Sequence, residues 1–284
     1  MSLLFKQNLF CSLRCEEKRR KERLNWKSRS KLKQIAVMLL VMVTVVTYMP
    51  GMSMIAYGDD GVNEPIEIDT VAELKAFAAQ VNGGDTSANA VLTADIEVDS
   101  AWVPIGSETA YNGTFDGGNH KIIFKGTSVG LAGNLNGTIK NVVTKGIING
   151  TATVGAIAGT TSGTIENCLN TAAVTVNGDY AGGIAAKMTG GTITSCGNTG
   201  AIENENSSGR WTGGIVGSAA AGAITNCYNQ GSVTSTRASS AYCAGIVGNA
   251  VTITISNCYS SGSVGGSATS NFGAIAAGPQ ATLQ

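Results

Sequence analysis

Gly137-Thr-Ile-Lys-Asn-Val142, Gly163-Thr-Ile-Glu-Asn-Cys168, Gly191-Thr-Ile-Thr-Ser-Cys196, Gly222-Ala-Ile-Thr-Asn-Cys227 and Ile253-Thr-Ile-Ser-Asn-Cys258 are one short phrase written five times. A second phrase alternates with it: Val154-Gly-Ala-Ile-Ala-Gly159, Ala181-Gly-Gly-Ile-Ala-Ala186, Thr212-Gly-Gly-Ile-Val-Gly217, Ala244-Gly-Ile-Val-Gly248 and Phe272-Gly-Ala-Ile-Ala-Ala277. Val129-Gly-Leu-Ala-Gly133 is an earlier copy. Equivalent positions recur about every 26 to 31 residues, a period typical of solenoids and propellers. A propeller blade needs roughly 40 residues, and a leucine-rich repeat needs a leucine ladder that is missing here. The pattern therefore predicts an all-β fold, a right-handed parallel β-helix (β-solenoid). Each coil holds two or three short strands, and coils stack at about 4.8 Å.

That packing accounts for the residue choices. Ile139, Ile165, Ile193, Ile224 and Ile255 are expected to point inward at one position of successive coils. Ile157, Ile184, Ile215, Ile246 and Ile275 form a second inward ladder. Stacked β-branched side chains suit a pleated surface. Asn141, Asn167, Asn226 and Asn257 are read as an amide ladder at a turn, interrupted by Ser195. The glycines beside the second ladder are expected to turn tight corners at positive φ. Gly146, Gly200, Gly231 and Gly262 separate the two phrases.

Upstream, Thr70-Val-Ala-Glu73 is a capping-box pattern. Val71, Leu74, Ala78 and Val81 follow at helical spacing beside Phe77, and Gly83-Gly84 supplies the stop. About 12 residues of amphipathic helix are predicted, with the task of covering the first coil, whose open edge would otherwise expose unpaired backbone. A partner-binding helix is the alternative. Val91–Ile96 and Trp102–Ile105 read as short strands, and Tyr111–Ile122 as β-prone segments punctuated by Asn112-Gly113 and Gly117-Gly118.

The formal charge of the chain is +0, but it is unevenly spread. Residues 1–58 carry 11 basic and 3 acidic groups, leaving 8 basic and 16 acidic for residues 59–284. A mildly acidic folded part argues against nucleic acid as its partner. The basic stretch from Arg14 to Lys33 leads into an apolar run, Ile35 to Met49, ended by Pro50-Gly51. That run is the length of a signal-peptide core and short of the roughly 20 residues that span a bilayer. Ala56 and Gly58 offer an A-x-G cleavage site. A cleaved signal peptide is expected; an uncleaved signal anchor and a buried core helix are the alternatives. The domain reading is a leader over 1–58, a linker over 59–66, a capping helix and lead-in strands over 67–128, and repeats over 129–284. Ala281-Thr-Leu-Gln284 follows a second phrase with no cap or wall-sorting motif, so the array is expected to be truncated there.

Gly-Gly-Ile-Val-Gly at 213–217 and Val-Gly-Leu-Ala-Gly at 129–133 resemble the short repeat called the GLUG motif. Leu74-Lys-Ala-Phe-Ala-Ala-Gln-Val-Asn-Gly83, Leu92-Thr-Ala-Asp-Ile96, Trp102-Val-Pro-Ile-Gly106 and Gly113-Thr-Phe-Asp-Gly-Gly-Asn-His120 resemble the segment that commonly precedes it. The resemblance covers roughly residues 67–278. It implies a large secreted or wall-attached bacterial protein, of the kind that includes adhesin-like proteins and immunoglobulin-A metallopeptidases. Those peptidases carry an H-E-x-x-H zinc helix in a separate domain. The one histidine of this chain, His120, leaves that motif absent, so protease activity would have to lie outside the chain.

The candidate chemistry is thin. His120 reads as a turn residue, since no partner histidine completes a zinc site. Asp116 and Asn119 lack the D-x-D-x-D-G context of a calcium loop. Asp95, Glu97 and Asp99 alternate on one strand face; a solvated face is expected, and a carboxylate pair for glycoside cleavage is the rival. Glu166, Asp179, Glu203 and Glu205 do not recur in register. Cys168, Cys196, Cys227 and Cys258 share one repeat position, but in-register residues lie in a line rather than a tetrahedron, so a row of buried thiols is expected rather than zinc. Their Cβ vectors run parallel, which disfavours disulfides. Cys243 stands alone, and Cys11 and Cys15 lie in the leader. Tyr228 and Tyr259 are expected to stack on the outer face, where a glycan-binding strip is the functional alternative. No catalytic, cofactor or metal residue is assigned. The expected role is a non-catalytic structural or adhesive module, secreted or held at the cell surface and membrane-anchored if the leader is retained. The alternatives are a polysaccharide-active β-helix enzyme and a passive stalk. Expected partners are glycans or matrix proteins, with the leader engaging the export machinery and the folded part a monomer or part of a longer chain.

Overall fold

In the computed structural model, residues 64–206, 211–236, 241–266, 271–278 and 281–283 are described. The leader reading, with Cys11 and Cys15, lies outside them. The described chain is a parallel β-solenoid with one short helix.

The first phrase builds the longest ladder. Strands Ile66–Ile68, Ala90–Leu92, Thr114–Asp116, Thr138–Lys140, Thr164–Glu166, Thr192–Thr194, Val216–Thr225, Val247–Ser256 and Ala281–Leu283 pair in parallel, each with the next coil. Phe115, Ile139, Ile165, Ile193, Ile224 and Ile255 are register partners and buried. The lead-in strands are thus coils of the same stack, and residue 129 marks no break in it. The first ladder strand also starts at Ile66, inside the segment read as linker.

The second phrase carries its ladder through backbone bonds. Ile157 N–H donates to the Ile184 carbonyl, Ile184 to Ile215, Ile215 to Ile246 and Ile246 to Ile275, at 3.0 to 3.1 Å. The glycines next to these isoleucines correct the positive-φ expectation: none of Gly155, Gly182, Gly213 and Gly273 is among the positive-φ residues. Their constraint is close approach. A Cβ on Gly182 would overlap the Ala185 carbonyl oxygen, and one on Gly213 that of Val216. The positive φ falls instead on the asparagine row: Asn141, Asn167, Ser195, Asn226 and Asn257 all lie between 51° and 56°. Asparagine tolerates this left-handed conformation better than most side chains.

Helix α1 spans Val71–Asn82. Thr70 accepts from the Glu73 amide while the Glu73 carboxylate accepts from the Thr70 amide, closing the capping box. Leu74, Phe77, Ala78 and Val81 are buried, and Phe77 meets Tyr111 edge-on at 5.9 Å and Phe115 at 6.0 Å. The helix therefore lays its apolar face on the early coils. Among the described residues, no helix is long and apolar enough to cross a membrane.

Candidate functional site

Most of the residues singled out for chemistry fall in an acidic strip, a turn row or a row of thiols; Cys243 and two stacked tyrosines lie apart from them.

The acidic strip comes first. Asp95 accepts from the Lys121 amide at 2.9 Å and the Lys121 ammonium at 3.1 Å, with His120 Nδ1 at 3.5 Å. These bonds, the Lys121 amide above all, hold its carboxyl below the usual range. Glu97 pairs with Lys125 at 3.2 Å, and Asp99 with Lys75 of α1 at 3.1 Å. The Lys75 bond, then the Ala101 amide, lowers the Asp99 carboxyl. Each carboxylate is thus bound to a different lysine on a solvated face. Burial pulls the Asp116 carboxyl up, but the Gly118 amide, Asn141 and Lys140 outweigh it and leave it lowered. Asp116 is held by its own turn and by the next coil rather than aimed with Asn119 at a cation.

The turn row continues from Asp116. Asn141 donates to Asp116 at 2.9 Å and Asn167 donates to Asn141 at 2.8 Å. The predicted amide ladder is therefore present over its first steps.

A second amide row, which the sequence reading missed, runs inside the solenoid. Thr144 Oγ1 donates to Asn170 Oδ1, Asn170 Nδ2 to Asn198 Oδ1, and Asn198 Nδ2 to Asn229 Oδ1, each at 2.7 Å. Asn229 continues to Ser260 at 3.2 Å. Each amide also donates to the carbonyl two residues on, at Ala172, Gly200 and Gly231. Thr144, Asn170, Asn198 and Asn229 are fully buried. The signal was legible: Asn170, Asn198 and Asn229 each stand two residues after the repeated cysteine. The same row explains the spacer glycines, since a Cβ on Gly200 or Gly231 would overlap the backbone of the coil before it.

The thiol row lies beside it. Cys168, Cys196 and Cys227 are buried, Cys258 is partly exposed, and all four are free thiols. Each Sγ faces two carbonyl oxygens, that of the residue two before it at 3.2 to 3.3 Å and that of an isoleucine in the coil before at 3.6 to 3.8 Å. Burial raises the Cys196 thiol, and contact with Cys196 pushes Cys227 up to about 12. Cys243 sits elsewhere, in register with Thr212 and Phe272, and burial pushes it up to about 12. Among the described residues, no three His, Cys, Asp or Glu side chains converge on one point.

Two aromatic sets lie outside. Tyr228 and Tyr259 stack at 5.6 Å and 12°, and Tyr228 lies over Gly197 of the preceding coil. Tyr228 is thus covered on both sides, which leaves Tyr259, 53% exposed, as the ring with open surface. The second set was not read from the sequence. Tyr180 and Trp211 stack at 4.7 Å, with Tyr242 next in register.

A shallow groove of about 580 Å³ lies between α1 and residues 101–108, lined by Lys75, Ala78, Asn82, Val103 and Glu108. Its Lys75 is bound to Asp99, and Asn82 to Pro104 and Ser107. Among the described residues, every buried side-chain nitrogen and oxygen has a hydrogen-bond partner. The arrangement ties coil to coil.

No family model matches the chain. Halomucin of Haloquadratum walsbyi is 33% identical over 43% of this chain, a stretch that spans 2% of that protein. A crystal structure from Bacteroides ovatus, of a protein provisionally named an immunoglobulin A1 protease, superposes with a TM-score of 0.63 at 21% identity. The match covers 78% of this chain and 75% of that one, and it shows a shared β-solenoid fold.

Proposed function

We propose that this chain is a non-catalytic, GLUG-type repeat module of an exported surface protein, serving as a structural and adhesive element. The observation that carries the reading is the engagement of its polar rows with neighbouring coils. Asp95, Glu97 and Asp99 hold three different lysines, and the buried asparagines hold one another. Glycoside cleavage asks for two carboxyl groups facing one bond about 5 to 10 Å apart, and lysine-bound carboxylates on a solvated strip are a poor match. The likeness to part of halomucin, by its name a mucin-type protein, supports a place outside the cell. So does the basic-then-apolar leader. A solenoid gives such a protein length, because stability accrues coil by coil, and long flat faces for contact.

The test applies the purified full chain to an array of glycans and matrix proteins, with the same ligands assayed for cleavage. Saturable binding without cleavage is expected. Cleavage would overturn the non-catalytic reading; no binding to any surface would remove adhesion and leave a passive stalk.

A further inference from the structure

The described solenoid has two unlike ends. At the first, α1 lies over the early coils, and Leu74, Phe77, Ala78 and Val81 are buried beneath it. The helix and edge strands there carry Glu67, Asp69, Glu73, Lys75, Glu97 and Asp99.

The last coil has neither device. Tyr259–Ser260, Val264–Gly266, Asn271–Gly273 and Ala281–Leu283 each pair only with the coil before. Rows that are fully buried along the stack surface here. Val174, Ile202 and Val233 are inaccessible, while Val264, next in register, is partly exposed. Ile275 ends the second isoleucine row and is also partly exposed. Phe272, in register with the buried Cys243, is 44% exposed, and Leu283, in register with the buried Ile255, is 60% exposed. Tyr259 stacks on Tyr228 and is 53% exposed.

Charge is missing from this end as well. Residues 238–284 contain no Asp, Glu, Lys, Arg or His. Exposed sheet edges are ordinarily guarded by charge, which keeps them from pairing with another chain. A neutral apolar edge suits its own copy in particular. A two-fold axis brings one patch against itself, and a patch without charge meets no like charge there.

The geometry permits closure. A two-fold axis across the stack sets the edge strand it crosses antiparallel to its copy, a pairing with regular hydrogen bonds. Docking of the last coil on the first coil of another copy is obstructed by α1. A loop of about 28 residues at about 3.3 Å each encloses on the order of 700 Å². That is close to the roughly 800 Å² per partner of a standard stable interface.

We propose that the last coil, Tyr259 to Leu283, is a self-association surface. It docks tail to tail on the same coil of a second copy and gives a closed dimer with one α1 at each far end. The inference rests on the end of the stack and is independent of any ligand.

Sedimentation velocity of the full chain over a concentration series is the first test. A monomer–dimer equilibrium without larger species is expected. Tyr259→Lys and Leu283→Lys each set two like charges in the interface, and each is expected to raise the dissociation constant at least about tenfold. Val103→Lys, at a 55% exposed position of the lead-in region, is expected to leave it unchanged. One spin label per chain at residue 114 reads the geometry and needs no end variant to fold. About thirteen coil steps separate the two labels along the axis, so a distance no shorter than about 60 Å is expected. Dilution with unlabelled chain removes this signal and leaves only distances within one chain. A monomer at every concentration would overturn the proposal. So would open-ended polymers, a dimer that both lysine variants leave intact, or a label distance well below 60 Å, which would mean a side-by-side or helix-to-helix contact.

Discussion

Ser195 occupies the left-handed turn position that Asn141, Asn167, Asn226 and Asn257 fill in the other coils, at a φ of 54°. Serine gains less there than asparagine, whose amide both tolerates the conformation and reaches the next coil. Ser195→Asn is therefore expected to stabilise the chain by about 0.5–1 kcal/mol, read as a rise in denaturation midpoint. Asn198→Ala has the opposite sign. It strands the Asn170 donor and the Asn229 acceptor inside the solenoid and is expected to cost about 1–3 kcal/mol or more. The acidic strip answers to pH. Asp95 and Asp99 have lowered folded values, so their contribution is present above the ordinary carboxylate pKa of about 3.9. It is lost as pH falls through the folded value. A denaturation series from pH 6 to 2 is expected to show a smaller acid loss for Asp95→Asn than for the parent chain. Equal slopes would remove Lys121 as the cause.

Sequence legibility tracks repetition and contrast of side chains. The two isoleucine ladders were legible because isoleucine recurs at a fixed place, beside polar neighbours in the first phrase and between small or apolar ones in the second. Helix α1 was legible to the residue, because its capping box and Gly83-Gly84 stop are local signals. The buried row of Asn170, Asn198 and Asn229 was not, since asparagine reads as turn and surface unless a coil above supplies its partner. Tyr180, Trp211 and Tyr242 were hidden by their differing identities, though register aligns them. The glycines of the second phrase show the limit most clearly. Their sequence is compatible with a positive φ or with close approach, and only the folded corner of each coil decides. Gly213→Ala tests this at the level of the strand: an added Cβ meets the Val216 carbonyl oxygen without φ strain. A cost of about 1–3 kcal/mol is expected from overpacking, read by chemical denaturation. A neutral substitution would mean that this corner of the coil is not so tight.

At the largest scale, the described solenoid is nearly one-dimensional. Each coil touches its neighbours, and isoleucine, amide and thiol rows run parallel to the axis. In such a stack each coil is stabilised by its neighbours, so stability accrues coil by coil. The in-register stack is tested most directly by one distance. Thr114, Thr138, Thr164, Thr192, Ala223, Thr254 and Thr282 are successive register partners, six coil steps from first to last. At about 4.8 Å per step, residues 114 and 282 lie about 29 Å apart along the axis. Spin labels placed there through keto amino acids, which leave the thiols untouched, are expected to give one narrow distance distribution near that value, within the reach of the labels. A broad distribution, or a sharp one displaced by more than two coil steps, would contradict the stack.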